Sequence, residues 1–258
     1  MTSRSRRVVV PIVLIALITS ILAVAPTAVS GTYGATMWGA PNRTAQQIAA
    51  IVKEFARGYA WCRRSPSYSL FIGVGTSNST IDSRSEVWLR AHGKTWASMV
   101  RGLRAWSDAY HRGYFSIYGA WDAEPSWSTY NKAEHWMYGY NSQPGRVGVH
   151  VNNSADGCPQ YSSNNGSCNN GWNQYWMWRL SWQYDPALPM PQIYTTTGSQ
   201  ARQWHQIDLY GVGRGDGLYF YGMAKAHSFV QALYAAGKNL TREGLMKAVR
   251  NMNDTKNP

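Results

Sequence analysis

The residues best suited to chemistry in this 258-residue chain are Asp122 and Glu124, at the end of the apolar segment YFSIYGAW (114–121). Side chains two apart on a strand face the same way, with Cα atoms about 6.6 Å apart. Two carboxyl groups on one rim suit glycoside hydrolysis. One, protonated, donates to the leaving oxygen, and the other, ionised, serves as nucleophile, base or electrostatic stabiliser. Mutual repulsion separates their pKa values and so helps divide the roles. The competing reading makes Asp122 or Ser126 a cap for a helix that begins near residue 129.

Indole rings surround these acids. Trp121 and Trp127 flank them, and Trp172, Trp176, Trp178 and Trp182 crowd one later segment. A sugar ring presents axial C–H groups to an aromatic face, so Trp127, Trp176, Trp178 and Trp182 are candidate substrate-binding residues. The alternative is core packing, where large aromatics dominate anyway. Neither the Cys/His spacing nor the six scattered histidines suggest a metal site, and no cofactor motif is present.

The elements that must position these residues alternate between strand and helix periodicity. Strands are expected at 33–38, 69–74, 114–121, 147–151, 175–182, 192–194 and 203–210. Helices fall between them, at 48–59, from a Ser83/Glu86 capping box through Trp106, and at 129–140. This α/β order means parallel strands joined by crossover helices. It suits a compact TIM-like (β/α) barrel, complete or incomplete, with Asp122 and Glu124 at a strand's carboxyl end, where barrel sites lie. The rival is a flavodoxin-like doubly wound sheet, although GAPNRT after the first strand is no phosphate loop. A glycine-punctuated linker, VGRGDG (212–217), then leads into two helices, so the expected units are 31–210 and 211–258.

Residues 1–30 read as a secretory leader. Arg4, Arg6 and Arg7 precede an apolar run at 8–24, and Ala28-Val29-Ser30 offers a cleavage site. Cleavage lowers the net charge from +12 to +9, and no other stretch is long and apolar enough to span a bilayer. The expected protein is exported, with no stable membrane span. In an oxidising compartment Cys158 and Cys168 can close the loop CPQYSSNNGSC, stabilising it by about 2–3 kcal/mol. Cys62 is left over as a buried thiol. No run of five basic residues exists, so nucleic acid is not an expected partner.

Two resemblances add to this. GVGTSN (73–78), WDAE (121–124), GCPQYSSNNGSCNNGW (157–172) and QARQWHQIDLYG (200–211) resemble secreted actinobacterial proteins with a glycoside-hydrolase-like barrel. Lysozyme-like barrel hydrolases are a more distant resemblance, through the Asp-x-Glu strand end. It implies Glu124 as the acid, Asp122 as its helper and envelope polysaccharide as the partner that is acted on or, in a non-catalytic barrel, only bound. Those barrels carry a further Asp on the first strand. TMWGAP (36–41) has none, leaving Asp185 as a replacement or as a turn residue before Pro186. The tail, with AGKNLTREGLMKAVRNMN (236–253), is similar to the C-terminal lobe of periplasmic branched-chain amino-acid (leucine) binding proteins. That implies, as the alternative, a substrate-binding component or remnant of an ABC transporter. It covers about 44 residues, too few to build a two-lobed cleft.

Overall fold

The computed structural model describes residues 14–17, 24–29, 31–37, 41–62, 70–111 and 113–220. In chain order the elements are β1 (Leu14–Leu17), β2 (Val24–Val29), β3 (Thr32–Met37), β4 (Arg43–Thr44), α1 (Ala45–Cys62) and β5 (Leu70–Ser77). There follow α2 (Glu86–Tyr110), β6 (Phe115–Asp122), α3 (Tyr130–Asn141), β7 (Val149–Val151), α4 (Gln174–Trp178), β8 (Ala187–Pro189) and α5 (Ser199–Val212). A π-helical turn, Arg179–Gln183, extends α4. The two expected tail helices and the basic start of the leader lie outside the described residues.

The main sheet runs β1-β5-β6-β7-β8, every neighbouring pair parallel. Each crossover therefore steps in the same direction, without the reversal of a doubly wound sheet. Among the described residues the sheet is open. The expected α/β order with parallel strands forms, but no TIM-like barrel does among the described residues, and the reason lies in two aromatic runs. Residues 175–182 and 203–210, read as strands, are α4 with its π turn and α5. Their aromatics bury a helical stripe: Met177, Trp178 and Leu180 in the first, Trp204, Ile207 and Tyr210 in the second. The short strand expected at 192–194 is displaced to β8, whose Pro189 is tolerated on a sheet edge.

The strands and helices between 45 and 151 form as their periodicity indicates. On β6 the odd-numbered residues face the helices, where Trp121 stacks on Trp136 of α3 with centroids 4.0 Å apart and planes 2° from parallel. Trp96 of α2 donates its indole N–H to the Val74 carbonyl at 2.9 Å. The N-cap of α2 is Ser85, not Ser83, and its hydroxyl accepts from the Trp88 N–H. Cys62 is exposed, contrary to the buried reading, because its helix ends beyond the core-facing stripe of Val52 and Ala56.

A small antiparallel sheet, β2-β3-β4, packs against this body through His92. The Trp136 indole donates to His92 Nδ1 at 2.9 Å, so Nε2–H donates to the Gly34 carbonyl at 2.7 Å. Burial lowers the His92 pKa to about 4, keeping it neutral. Residues 14–17 and 24–29, inside the expected leader, pair as β1 with β5 and β2 with β3. The glycine-punctuated 211–217 is packed rather than free. Trp178 and Trp182 donate to the Asp216 carbonyl and carboxylate, and the Leu218 N–H donates to Asp208.

Helices α2 and α3 cross at two glycines. A Cβ on Gly93 would lie 2.1 Å from the Trp136 carbonyl oxygen, and one on Gly139 would lie 2.0 Å from that of Arg90. Gly102, further along α2, has nothing within 4 Å. Gly93→Ala should therefore destabilise the protein by about 1–3 kcal/mol through overpacking. Gly102→Ala should stabilise it by roughly 0.5–1 kcal/mol by restricting the unfolded chain. Urea unfolding midpoints of the two variants would move in opposite directions, and a shared direction would refute this account of the crossing.

Candidate active site at the carboxyl edge of the parallel sheet

Parallel pairing in sequential order brings four strand ends together, and the hydrogen bonding continues past the strands. Asn78 N–H donates to the Asp122 carbonyl, Asn152 N–H to that of Trp121, and Met190 N–H to that of Val151, each at 2.9 Å. Gln192 N–H donates to the Asn153 carbonyl at 3.0 Å. Because Trp121 faces α3, alternation turns Asp122 to the opposite face of the sheet.

Asn78 fixes the turn that carries Glu124. Fully buried, it donates through Nδ2 to the Glu124 carbonyl and the Ser128 hydroxyl, both at 2.8 Å. Its Oδ1 accepts from the Glu124 N–H at 2.9 Å. The backbone of Glu124 is thus gripped on both sides. The capping role falls elsewhere: Thr129 is the N-cap of α3, and the Asp82 carboxylate accepts from its N–H.

The two acids share one donor. Gln192 Nε2 lies 2.8 Å from Asp122 Oδ1, 3.0 Å from Glu124 Oε1 and 3.2 Å from the Asn152 carbonyl oxygen. Two hydrogen bonds on one nitrogen hold the carboxyl oxygens within roughly 6 Å of each other. Among the described residues no Lys, Arg or His pairs with either acid. Burial, opposed by the Gln192 amide and reinforced by the charge of Asp156, pushes Glu124 up to about 7. Burial and then the charge of Glu124 push Asp122 well above the usual carboxylate range. The Tyr194 hydroxyl is also raised, by burial and then by the charges of both acids.

A covalent brace stands behind this rim. Cys158 and Cys168 form a disulfide. Just beyond it, Asn169 Nδ2 donates to the Ser126 hydroxyl at 3.0 Å and Asn170 Nδ2 to the Pro125 carbonyl at 2.7 Å. Ser126 in turn donates to Asp156 at 2.7 Å. The disulfide loop is therefore sewn to the turn that follows Glu124.

Of the residues expected from sequence, Asp122 and Glu124 meet, and Trp127 sits half-buried in the same turn. Asp185 stands apart. It precedes β8, at the opposite edge of the sheet, is 85% exposed and pairs with Arg146 at 2.8 Å. Trp176, Trp178 and Trp182 do not share a strand face, because they lie on a helix and its π turn. Trp176 stacks on Tyr130 with centroids 4.3 Å apart, Trp178 is buried, and Trp182 is held by Asp216. Asn78, Asp156, Gln192 and Tyr194 were not singled out from the sequence. Their signal is a polar residue placed just after an apolar strand, which becomes informative only when several strand ends are known to converge. No cluster of His, Cys, Asp or Glu among the described residues could hold a metal ion. No family model, curated protein or solved structure matches the chain.

The raised Glu124 pKa has a defined consequence for stability. Between its unfolded value of 4.5 and about 7 the folded chain holds a proton that the unfolded chain has released. Its contribution is thus present below pH 4.5 and is lost as pH rises through 7, by on the order of 3 kcal/mol. Glu124→Gln keeps an acceptor for Gln192 and removes the titration. Urea unfolding should find the variant the more stable at pH 8, nearly equal to wild type at pH 4.5, and flatter between. Parallel pH profiles would show that Glu124 is not held in its protonated form by the fold.

Proposed function

We propose that this chain is an exported glycoside-hydrolase-like protein that acts on cell-envelope polysaccharide through Asp122 and Glu124. The observation that carries the reading is a pair of part-buried carboxyl groups, without a cationic partner, sharing the Gln192 amide at the carboxyl edge of a parallel sheet. Repulsion across so short a gap favours one proton on the pair near neutral pH, hence one acid and one carboxylate. The pair holds that proton jointly, and the resemblance assigns Glu124, the less buried of the two, to donate it to the leaving glycosidic oxygen. Asp122 stabilises the positive charge that develops at the anomeric carbon as its bond to that oxygen breaks, and a water then adds to the carbon and gives its proton to the Glu124 carboxylate. Trp127, in the same turn, offers an indole face to the sugar.

Export rests on the leader-like sequence of residues 1–30, of which 14–17 and 24–29 pair as β1 and β2 in the uncleaved chain, and on the disulfide, which accords with an oxidising compartment. The transporter alternative rests on a tail of which residues 221–258 lie outside the described residues.

With peptidoglycan and a panel of envelope polysaccharides, reducing ends should appear with wild type. They should fall by about 10²–10⁴-fold in the Asp122→Asn/Glu124→Gln double variant, the usual contribution of a general acid. Calorimetry with leucine should show no heat. Undiminished hydrolysis in the double variant would sink the carboxylate mechanism, and leucine binding without any glycan response would favour the transporter alternative.

A further inference from the structure

Tyr161 is a large aromatic side chain that the core does not use. It is 80% exposed, in the loop closed by Cys158 and Cys168. Other exposed aromatics, such as Trp61, Tyr110 and Tyr114, lie on segments leading into the starts of β5 and β6, at the sheet edge away from the acids. Tyr161 instead belongs to the loop that leaves the carboxyl end of β7, on the edge that holds Asp122 and Glu124.

The chain around this ring is anchored on both sides. Gln160 Oε1 accepts from Arg202 Nε and Nη2 at 3.2 and 2.9 Å, and Gln174 Nε2 donates to the Ser162 carbonyl at 2.6 Å. The Arg202 guanidinium lies over the ring, 5.5 Å from its centroid, and is itself held by the Thr197 carbonyl. One face of the ring is thus backed, while the high exposure leaves the remainder to solvent. The far end of the loop reaches the Glu124 turn through Asn169 and Asn170. Binding to such a ring requires little ordering of the loop, so little of the contact energy is lost as entropy.

We infer that Tyr161 is a stacking subsite for a pyranose unit of the polysaccharide, flanking the sugar whose bond faces Asp122 and Glu124. The inference rests on the hydrolase reading above. The axial C–H groups of the sugar lie against the part of the ring that Arg202 leaves open to solvent. Tyr161 binds substrate but takes no part in proton transfer, so its loss acts on KM and not on kcat.

The test uses the full chain as Tyr161→Ala and Tyr161→Trp, with peptidoglycan and the same polysaccharide panel. Tyr161→Ala should raise KM by about tenfold with kcat unchanged, as expected for the loss of one sugar C–H contact with an aromatic face. In the inactive Glu124→Gln background it should weaken retention in affinity electrophoresis to the same degree, and Tyr161→Trp should restore both. The thermal midpoint should not move, because the ring is exposed. Hydrolysis with an unchanged KM in Tyr161→Ala would remove the subsite and leave the hydrolase reading standing. Failure of wild type to bind or cleave any polysaccharide would remove that reading and the subsite with it.

Discussion

The side-chain nitrogen of Gln192 stands among three oxygens, those of Asp122, Glu124 and the Asn152 carbonyl, and it has only two hydrogens to give. Two carboxyl groups in so confined a place cannot both ionise cheaply, since no cation among the described residues offsets them. The pair therefore retains a proton near neutrality, and everything around it serves to keep it from relaxing apart. Asn78 grips the backbone of Glu124, Gln192 is itself tied to Asn153, and the disulfide loop closes on Pro125 and Ser126. The energetic cost of crowding like charges is met by rigidity in their surroundings.

That rigidity comes from the sheet and the helices behind it. Four consecutive parallel strands end at the same edge because each is laid beside its predecessor. The α2–α3 crossing, closed by Gly93 and Gly139, sets Trp136 on Trp121 at the back of β6 and lets the Trp136 indole hold a neutral His92 against Gly34 of β3. The same packing explains the division of labour among the aromatics. Most indoles are consumed by the core or by hydrogen bonds to backbone and to Asp216, so few rings remain for a ligand. Trp127 remains in the Glu124 turn, and Tyr161 in the disulfide loop that leaves the same edge of the sheet.

The central elements were legible because their signals are local. Apolar residues at helical spacing in 48–59 and 96–106, and the compact apolar runs at 69–74 and 114–121, admit one assignment each. Asp122 and Glu124 were legible for the same reason: two acids two residues apart after such a run must emerge together at its end. The later chain misleads because Trp and Tyr favour strands in general yet also pack well along a helix. In 175–182 and 203–210 burial against the neighbouring helices outweighed β propensity, and with those two strands went the barrel.

The sequence by itself determined an α/β chain, the position of an acid pair at a strand end, and the disulfide that braces the adjoining loop. These follow from spacing over a few residues. Only the tertiary structure decided that the sheet is open, that Asp185 lies at the opposite edge, and that Gln192, Asn78 and Tyr194 meet the acids from strands or loops far apart in sequence. Such pairings span 46 residues for Asn78 and Glu124, and 68 for Gln192 and Glu124. No local pattern encodes them, because they are set by which strand lies beside which.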